Sequence, residues 1–217
     1  MTKVVLIRHA RSSANASAIL AGRLPGVGLD DVGRDQAAAL MQLLRGITPS
    51  AVYTSPLQRC RETAELAGWA DAEVIEELTE CDYGSWSGRP LDELRGLPVW
   101  EEIQRTPSTV AFPDGESMTA MAERVVAAVA GLAARHGDGD VIAVFSHGDP
   151  LKAVLADALG LSLDDFQRLH VGPAGVSVID YSGPRPMVLC VNSGSGVAGL
   201  VNASHGAPTV GGGDIPK

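Results

Sequence analysis

Two arginines and two histidines follow short apolar runs in three separate parts of the sequence: Arg8 and His9, Arg59, and His147. Guanidinium groups keep their charge and bind phosphate oxygens in a bidentate manner. A neutral imidazole that donates one N–H to the backbone leaves its other nitrogen free as a nucleophile. Because fixed cations stabilise a transferring phosphoryl group, these four side chains predict phosphoryl-transfer chemistry if the fold brings them together.

The apolar runs in front of these residues are the predicted strands of one sheet. They span residues 4–7, 51–54 and 141–145, and apolar residues at helical spacing follow each of them. Strands that alternate with helices indicate an α/β fold, here a three-layer α/β/α sandwich with a mostly parallel central sheet. Since the carboxyl ends of parallel strands converge on one crevice, we expect the four side chains to share a pocket.

The rest of the chain divides into a helical part, a final strand pair and a tail. Helices are predicted over 37–44, 57–67, 118–132 and 151–158, and strands over 176–181 and 187–191. We expect one domain over residues 1–191, with a lid-like insertion at about 81–115 that is rich in Gly and Pro. The Gly- and Ser-rich tail at 192–217 lacks periodicity and is expected to be flexible.

Composition limits the classes of partner. The net charge is −9 over 217 residues, which disfavours nucleic acid and anionic membranes and favours a small phosphorylated metabolite. No stretch reaches the roughly 18 apolar residues of a membrane span, and residues 4–7 are too short for a signal-peptide core. Cys60, Cys81 and Cys190 lack paired-ligand spacing, so a cytoplasmic protein with free thiols and no metal or other cofactor is expected. A homodimer is one option.

Four sequence blocks, in this order, resemble the signatures of the histidine phosphatase superfamily, which includes the cofactor-dependent phosphoglycerate mutases. They are residues 5–10 with Ser12 and Asn15, residues 55–64, residues 78–88 and residues 145–148. The resemblance covers roughly residues 3 to 191 and implies the α/β/α fold already expected from the strand pattern.

The resemblance also implies roles for individual residues. His9 would be the nucleophile, Glu80 the proton donor, and Arg8, Arg59 and His147 the lining of the phosphate pocket. The residues expected to contact substrate are Ser12, Asn15, Arg23 and Gly148. Glu80 lies in an acidic run of the kind that is usually solvated, so Asp82 and Asp114 are the alternative acids.

Several positions depart from the family pattern. Ala10 stands where relatives usually have Gly, which would cost on the order of 1 kcal/mol if the backbone there needs a positive φ. Arg11 stands where many relatives carry Glu or Gln, and would add charge near the pocket mouth. Lys152 stands where relatives often have Arg; with Asp149 it is expected to cap and solvate the helix after His147.

The resulting hypothesis is a metal-independent phosphatase that hydrolyses a phosphate monoester through a phosphohistidine on His9. The segment 84–88 resembles the phosphatase branch of the family more than the mutases. Two alternatives stay open: a phosphoglycerate mutase-type phosphotransferase, and a catalytically silent phosphate-binding module, for which Ala10 and Arg11 are the support. His136, His170 and His205 are expected to lie outside the site.

Overall fold

The computed structural model describes residues 2–194, and a six-stranded sheet forms its centre. The strands are β1 (Lys3–Arg8), β2 (Ala51–Thr54), β3 (Glu73–Val74), β4 (Val141–Ser146), β5 (Val176–Asp180) and β6 (Met187–Ser193). Their order across the sheet is β3-β2-β4-β1-β5-β6. Neighbours among β3, β2, β4 and β1 are parallel, whereas β5 runs antiparallel to β1 and β6 antiparallel to β5. The expected mostly parallel α/β sheet is confirmed.

Helices cover both faces of this sheet. They are α1 (Ser13–Ala16), α2 (Asp31–Leu43), α3 (Gln58–Leu66), α4 (Leu91–Arg95), α5 (Pro98–Arg105), α6 (Met118–Ala134) and α7 (Gly148–Leu159). Alternate residues of a strand point to opposite faces. Accordingly, Val5 and Ile7 of β1 pack with buried residues of α2 and α3, while Val4 and Leu6 pack with those of α6 and α7. The result is three layers with β1 buried between them.

Most of the expected elements are found close to their expected bounds. Each of the three strands that precede the reactive residues is present, as are the four helices and the final antiparallel strand pair. Helix α7 ends at Gly160, which has a φ of 69° and so takes the left-handed conformation that suits glycine. Strand β3 was not predicted because its two residues are exposed and carry no apolar pattern.

The segment predicted as a lid-like insertion packs into the main core. Within it, Leu94, Trp100 and Ile103 are buried in the same cluster as Met121 and Val125 of α6. Its function as a lid stays a prediction. Of the expected tail, residues 192 and 193 belong to β6, whereas residues 195–217, with His205, lie outside the described residues. Among residues 2–194, no helix combines the length and apolar character that a membrane crossing requires.

Candidate active site

The two arginines and two histidines singled out from the sequence lie together at the carboxyl edge of the sheet. Arg8 ends β1 and His9 follows it, Arg59 lies in the first turn of α3, and His147 joins β4 to α7. All four are at most 2% exposed. The ring centroids of His9 and His147 are 5.2 Å apart, and Arg59 Nε lies 3.2 Å from His9 Nε2. The four side chains come to the same edge of the sheet because β1, β4 and β2 are parallel neighbours. Of the four, His9 and Arg59 line the pocket found there.

The contacts of His9 define which of its ring nitrogens carries the proton. Nδ1 lies 2.8 Å from the carbonyl oxygen of Ala10, and since a carbonyl only accepts, Nδ1 carries the hydrogen. Arg59 Nε–H only donates, so Nε2 presents its lone pair. Burial, followed by the charges of Arg59 and Arg8, lowers the pKa of His9 well below its usual value. The imidazole is therefore neutral, with Nε2 as its nucleophilic atom.

The two departures next to His9 are accommodated by the structure. Ala10 is not among the residues with a positive φ, so the alanine methyl imposes no backbone strain. Its side chain is fully buried beside Leu29 and Ala37. Arg11 does not add a free charge at the pocket mouth, because its Nε and Nη2 each lie 2.7 Å from Asp30 Oδ2.

Each guanidinium group of the site is fixed by a backbone carbonyl. Arg8 Nη1 donates to Val171 O at 2.8 Å, and Arg59 Nη2 donates to Gly22 O at 2.8 Å. Arg59 Nη1 is buried and has no hydrogen-bond partner within residues 2–194. Because buried polar groups are nearly always paired, a buried guanidinium N–H beside His9 suits the oxygen of a bound anion.

Both the backbone conformation and the close neighbours at position 22 require glycine. Its φ is +50°, and a Cβ built there would lie 2.6 Å from Ser87 Oγ and 3.1 Å from the Tyr83 ring. A larger residue would therefore strain the backbone and displace the carbonyl that holds Arg59.

Glu80 lies in an irregular segment between two 3-10 turns, Glu76–Leu78 and Gly84–Trp86. It is 2% exposed, and its Oε1 accepts a hydrogen bond from the Cys81 amide at 2.9 Å. Burial raises the pKa of its carboxyl to about 7, and the nearby Asp149 carboxylate adds to the shift. A carboxyl with this pKa can give and take a proton near neutrality.

The alternative acids are less well placed for that chemistry. Asp114 is exposed, and Asp82 is bound to the Gly84 amide and lies 3.8 Å from Arg23 Nη1. Neither is among the described residues that line the pocket of His9 and Glu80.

The pocket in front of His9 is narrow, with about 20 Å³ of space, which is room for one or two water molecules. Its polar lining consists of His9, Arg59, Glu80, Ser12, Asn15 and Tyr83, and its apolar lining of Ile19, Leu20, Ala21 and Leu91, with Gly22 between. Ser12 and Asn15 bind each other at the start of α1, where Ser12 Oγ donates to Asn15 Oδ1 at 2.8 Å.

The other two residues expected to contact substrate lie close by. Arg23 does not line the pocket; its Nε donates to the Glu80 carbonyl at 2.9 Å and its Nη2 to Glu116 Oε1 at 2.8 Å. Gly148 is buried as the first residue of α7, directly after His147.

The surroundings of His147 were not predicted. Its Nε2 lies 2.7 Å from Ser55 Oγ and 3.4 Å from Cys60 Sγ. Burial, followed by the charge of Arg59, lowers the pKa of His147 well below its usual value. Ser55 directly follows the apolar run 51–54 that precedes Arg59, and this position at the end of a strand was the signal in the sequence for its place beside His147.

The expectation that Asp149 and Lys152 are solvated was wrong. Asp149 is fully buried and Lys152 is 4% exposed, and the N-cap position of α7 is taken by His147, whose side chain makes no capping hydrogen bond. Asp149 Oδ2 accepts a hydrogen bond from the Tyr83 hydroxyl at 2.7 Å. Lys152 Nζ lies 3.7 Å from Asp149 Oδ1 and donates to Gln167 Oε1 at 2.9 Å. Asp149 faces Tyr83, and Lys152 faces Asp149 and Gln167, so both side chains point into the protein and not to the solvent.

Several known proteins resemble this chain in sequence and in structure. The family model for the histidine phosphatase superfamily (branch 1) matches residues 4–194. Phosphoserine phosphatase 1 of Hydrogenobacter thermophilus is 34% identical over 202 residues, which are 88% of this chain and 92% of that protein. An acid phosphatase of Mycobacterium tuberculosis is 31% identical over 185 residues, which are 82% of this chain and 86% of that protein. The solved structure of a mycobacterial glucosyl-3-phosphoglycerate phosphatase with VO3 has a TM-score of 0.80 at 25% identity, over 88% of this chain and 99% of that one.

Proposed function

The chain belongs to the histidine phosphatase superfamily, and from that premise we propose that it hydrolyses phosphate monoesters through a phosphohistidine on His9, without a metal ion. Relatives named as phosphatases support the hydrolase activity. One observation supports the mechanism: His9 Nε2 accepts from Arg59 Nε, and Nη1 of the same guanidinium group is buried without a hydrogen-bond partner among residues 2–194.

In the first step, His9 Nε2 attacks phosphorus and the bond from phosphorus to the ester oxygen breaks. The Glu80 carboxyl gives its proton to the departing oxygen, for which its pKa of about 7 is suited. Arg8 and Arg59 stabilise the charge on the three equatorial oxygens, the task that metal ions perform in other phosphotransferases. His147, whose ring centroid lies 5.2 Å from that of His9, is proposed to bind the same phosphate.

In the second step, water attacks the phosphohistidine. The Glu80 carboxylate takes a proton from this water, the new P–O bond forms and the P–N bond breaks. Inorganic phosphate leaves, His9 is again neutral and Glu80 is again protonated, so the cycle closes without another reagent.

The proposed substrate class is a small phosphorylated metabolite. Ser12, Asn15 and the backbone of Gly148 are proposed to bind it, since all three lie at the pocket or directly beside its histidines. The substrate contact expected of Arg23 stays a prediction and is the alternative to the role proposed for Arg23 below. The single domain over residues 1–191, the cytoplasmic location and the homodimer also stay predictions.

Neither alternative gains support from the site. The silent phosphate-binding module was based on Ala10 and Arg11, and Ala10 is unstrained while Arg11 is paired with Asp30. A mutase would return the phosphoryl group to a second hydroxyl of the substrate, which a test for isomerisation detects directly.

The test is release of inorganic phosphate from p-nitrophenyl phosphate in the presence of EDTA, together with isomerisation of 3-phosphoglycerate. We expect phosphate release, no isomerisation, and acid-labile labelling of the enzyme by a ³²P substrate. His9→Ala should abolish turnover and labelling. The matched control is His136→Ala. His136 binds the Tyr53 hydroxyl and lies near Asp140, which precedes the amino end of β4, whereas the site lies at the carboxyl end of that strand. A His9→Ala protein that keeps most of its rate would refute the mechanism.

A further inference from the structure

The backbone that carries Glu80 belongs to no helix or strand. It lies between the 3-10 turns Glu76–Leu78 and Gly84–Trp86, so regular hydrogen bonds cannot fix its conformation. Buried backbone groups still need partners, and here side chains from distant parts of the chain supply them.

Two arginines bind the carbonyl oxygens of this segment. Arg124, from α6, donates from Nη1 to Glu77 O at 2.6 Å and to Thr79 O at 3.1 Å, and from Nη2 to Glu80 O at 3.4 Å. Arg23 donates from Nε to the same Glu80 carbonyl at 2.9 Å. The carbonyl of Glu80 is therefore held from two sides.

Glu116 joins the two arginines to each other and to the chain beyond Glu80. Its Oε1 accepts from Arg124 Nη2 at 2.7 Å, from Arg23 Nη2 at 2.8 Å and from the Asp82 amide at 2.8 Å. The Glu116 amide in turn donates to Asp82 O at 2.9 Å. Backbone groups on both sides of Glu80 are thereby fixed by one carboxylate and two guanidinium groups.

We propose that Glu116, Arg124 and Arg23 are positioning residues that hold the Glu80 carboxyl where it can protonate the departing oxygen. They act through the backbone of Glu80 and do not touch the reacting atoms. The Glu116 and Arg124 side chains are only 17% and 21% exposed, so this network is more shielded than a surface ion pair. The inference rests on the proposed role of Glu80 as the acid.

The test compares two esters that differ in their need for a proton. Benzyl phosphate releases a basic alkoxide, whereas p-nitrophenyl phosphate releases a stable anion that departs without an acid. The ratio kcat/KM reports only the steps up to formation of the phosphoenzyme, so the later role of Glu80 as a base does not enter. Glu80→Gln is the reference for complete loss of the acid. We expect its kcat/KM for benzyl phosphate to fall about 100-fold or more, and its kcat/KM for p-nitrophenyl phosphate to fall much less.

Glu116→Gln should reproduce this selectivity in weaker form. We expect a loss of about 10-fold for benzyl phosphate and of at most about 3-fold for p-nitrophenyl phosphate, because a displaced acid loses most of its efficiency. Arg124→Lys should behave similarly, because an ammonium group has three N–H donors and cannot bind three carbonyls and the Glu116 carboxylate together, as the guanidinium fork does. The matched control is Glu101→Gln, which breaks the exposed ion pair with Arg105 on α5 and should change neither ester.

The outcomes separate this inference from the proposed function. If Glu80→Gln shows no selectivity between the esters, Glu80 is not the acid and both ideas fail. If Glu80→Gln is selective but Glu116→Gln and Arg124→Lys lower both esters equally or not at all, the positioning role is refuted while the phosphatase mechanism stands. If Glu116→Gln does not fold, Arg23→Gln takes its place in the comparison of the two esters, because Arg23 is at the more exposed end of the network. A rise in KM for both esters in that variant would assign Arg23 to the substrate and overturn its positioning role.

Discussion

The guanidinium group of Arg59 lies against the imidazole of His9, with Arg59 Nε 3.2 Å from His9 Nε2. The same side chain donates to Gly22 O through Nη2, while Nη1 has no hydrogen-bond partner in the described part of the chain. One cation thus contacts the proposed nucleophile and the loop of Gly22 and keeps one N–H for the proposed phosphate.

Replacing Arg59 by lysine should remove most of the activity although the charge is kept. A lysine ammonium is a point charge that cannot bind His9, Gly22 and a phosphate oxygen at once. We expect kcat/KM for p-nitrophenyl phosphate to fall about 100-fold, since one donor in such a site contributes this much. Steady-state kinetics and circular dichroism of both proteins provide the check, and a kcat/KM within a few fold of wild type would contradict the role.

The acid should give the rate a pH dependence with a defined sign. Glu80 is the proton donor only while protonated, and its pKa is raised to about 7, so kcat/KM for benzyl phosphate should fall above that pH. Protonation of His9 should not lower kcat/KM in mildly acidic solution, because the lowered pKa of His9 keeps its imidazole neutral there. The fall of kcat/KM at higher pH should be absent in Glu80→Gln. A profile that rises through pH 7 would exclude Glu80 as the acid.

The free energy of unfolding should also depend on the titration of the Glu80 carboxyl. A buried carboxyl with a raised pKa binds its proton more tightly in the folded than in the unfolded state, so the free energy of unfolding falls as pH rises from about 4.5 to about 7. The full difference is on the order of 3 kcal/mol. Glu80→Gln removes this titration, so its melting temperature relative to wild type should be higher at pH 8 than at pH 5. Equal differences at the two pH values would contradict the burial of an ionisable group here.

Thr63 should matter to both stability and rate although it does not line the pocket. Its Oγ1 accepts from the Ala10 amide at 3.0 Å and donates to the Arg59 carbonyl at 2.6 Å, which connects the loop of His9 to α3. Thr63→Val leaves the buried amide unpaired and should lower the free energy of unfolding by about 1–3 kcal/mol. Thr63→Ser keeps the hydroxyl and is the matched control. Urea unfolding and kcat/KM measured on both variants decide between a lost hydrogen bond and a general packing defect.

Two glycines with positive φ allow backbone strain to be separated from a steric clash. Gly22 and Gly26 have φ values of +50° and +75°, but only a Cβ at Gly22 meets other atoms, among them Ser87 Oγ. Gly26→Ala should therefore cost only the strain, about 1 kcal/mol, with activity kept. Gly22→Ala should cost more and lower kcat/KM, because it displaces the carbonyl that binds Arg59. The prediction fails if the two variants have the same activity.

The sequence predicted the meeting of His9 and His147 because that meeting depends only on where parallel strands end. It also indicated Glu80, but from a resemblance and not from a physical pattern. It did not show that Asp149 and Lys152 are buried, since residues next to a helix start are usually solvated. Nor did it indicate Glu116 and Arg124, whose contacts with the Glu80 segment join parts of the chain that only tertiary packing brings together.

The proposed nucleophile and the proposed acid lie on backbone segments of different rigidity. His9 extends a strand that has a hydrogen-bonded neighbour on each side, β4 and β5, and cannot shift without deforming the middle of the sheet. Glu80 stands on a stretch whose shape depends on a few long side chains. Substitutions that adapt this enzyme to larger or smaller esters can therefore accumulate around the proposed proton donor, while the imidazole of His9 keeps its place.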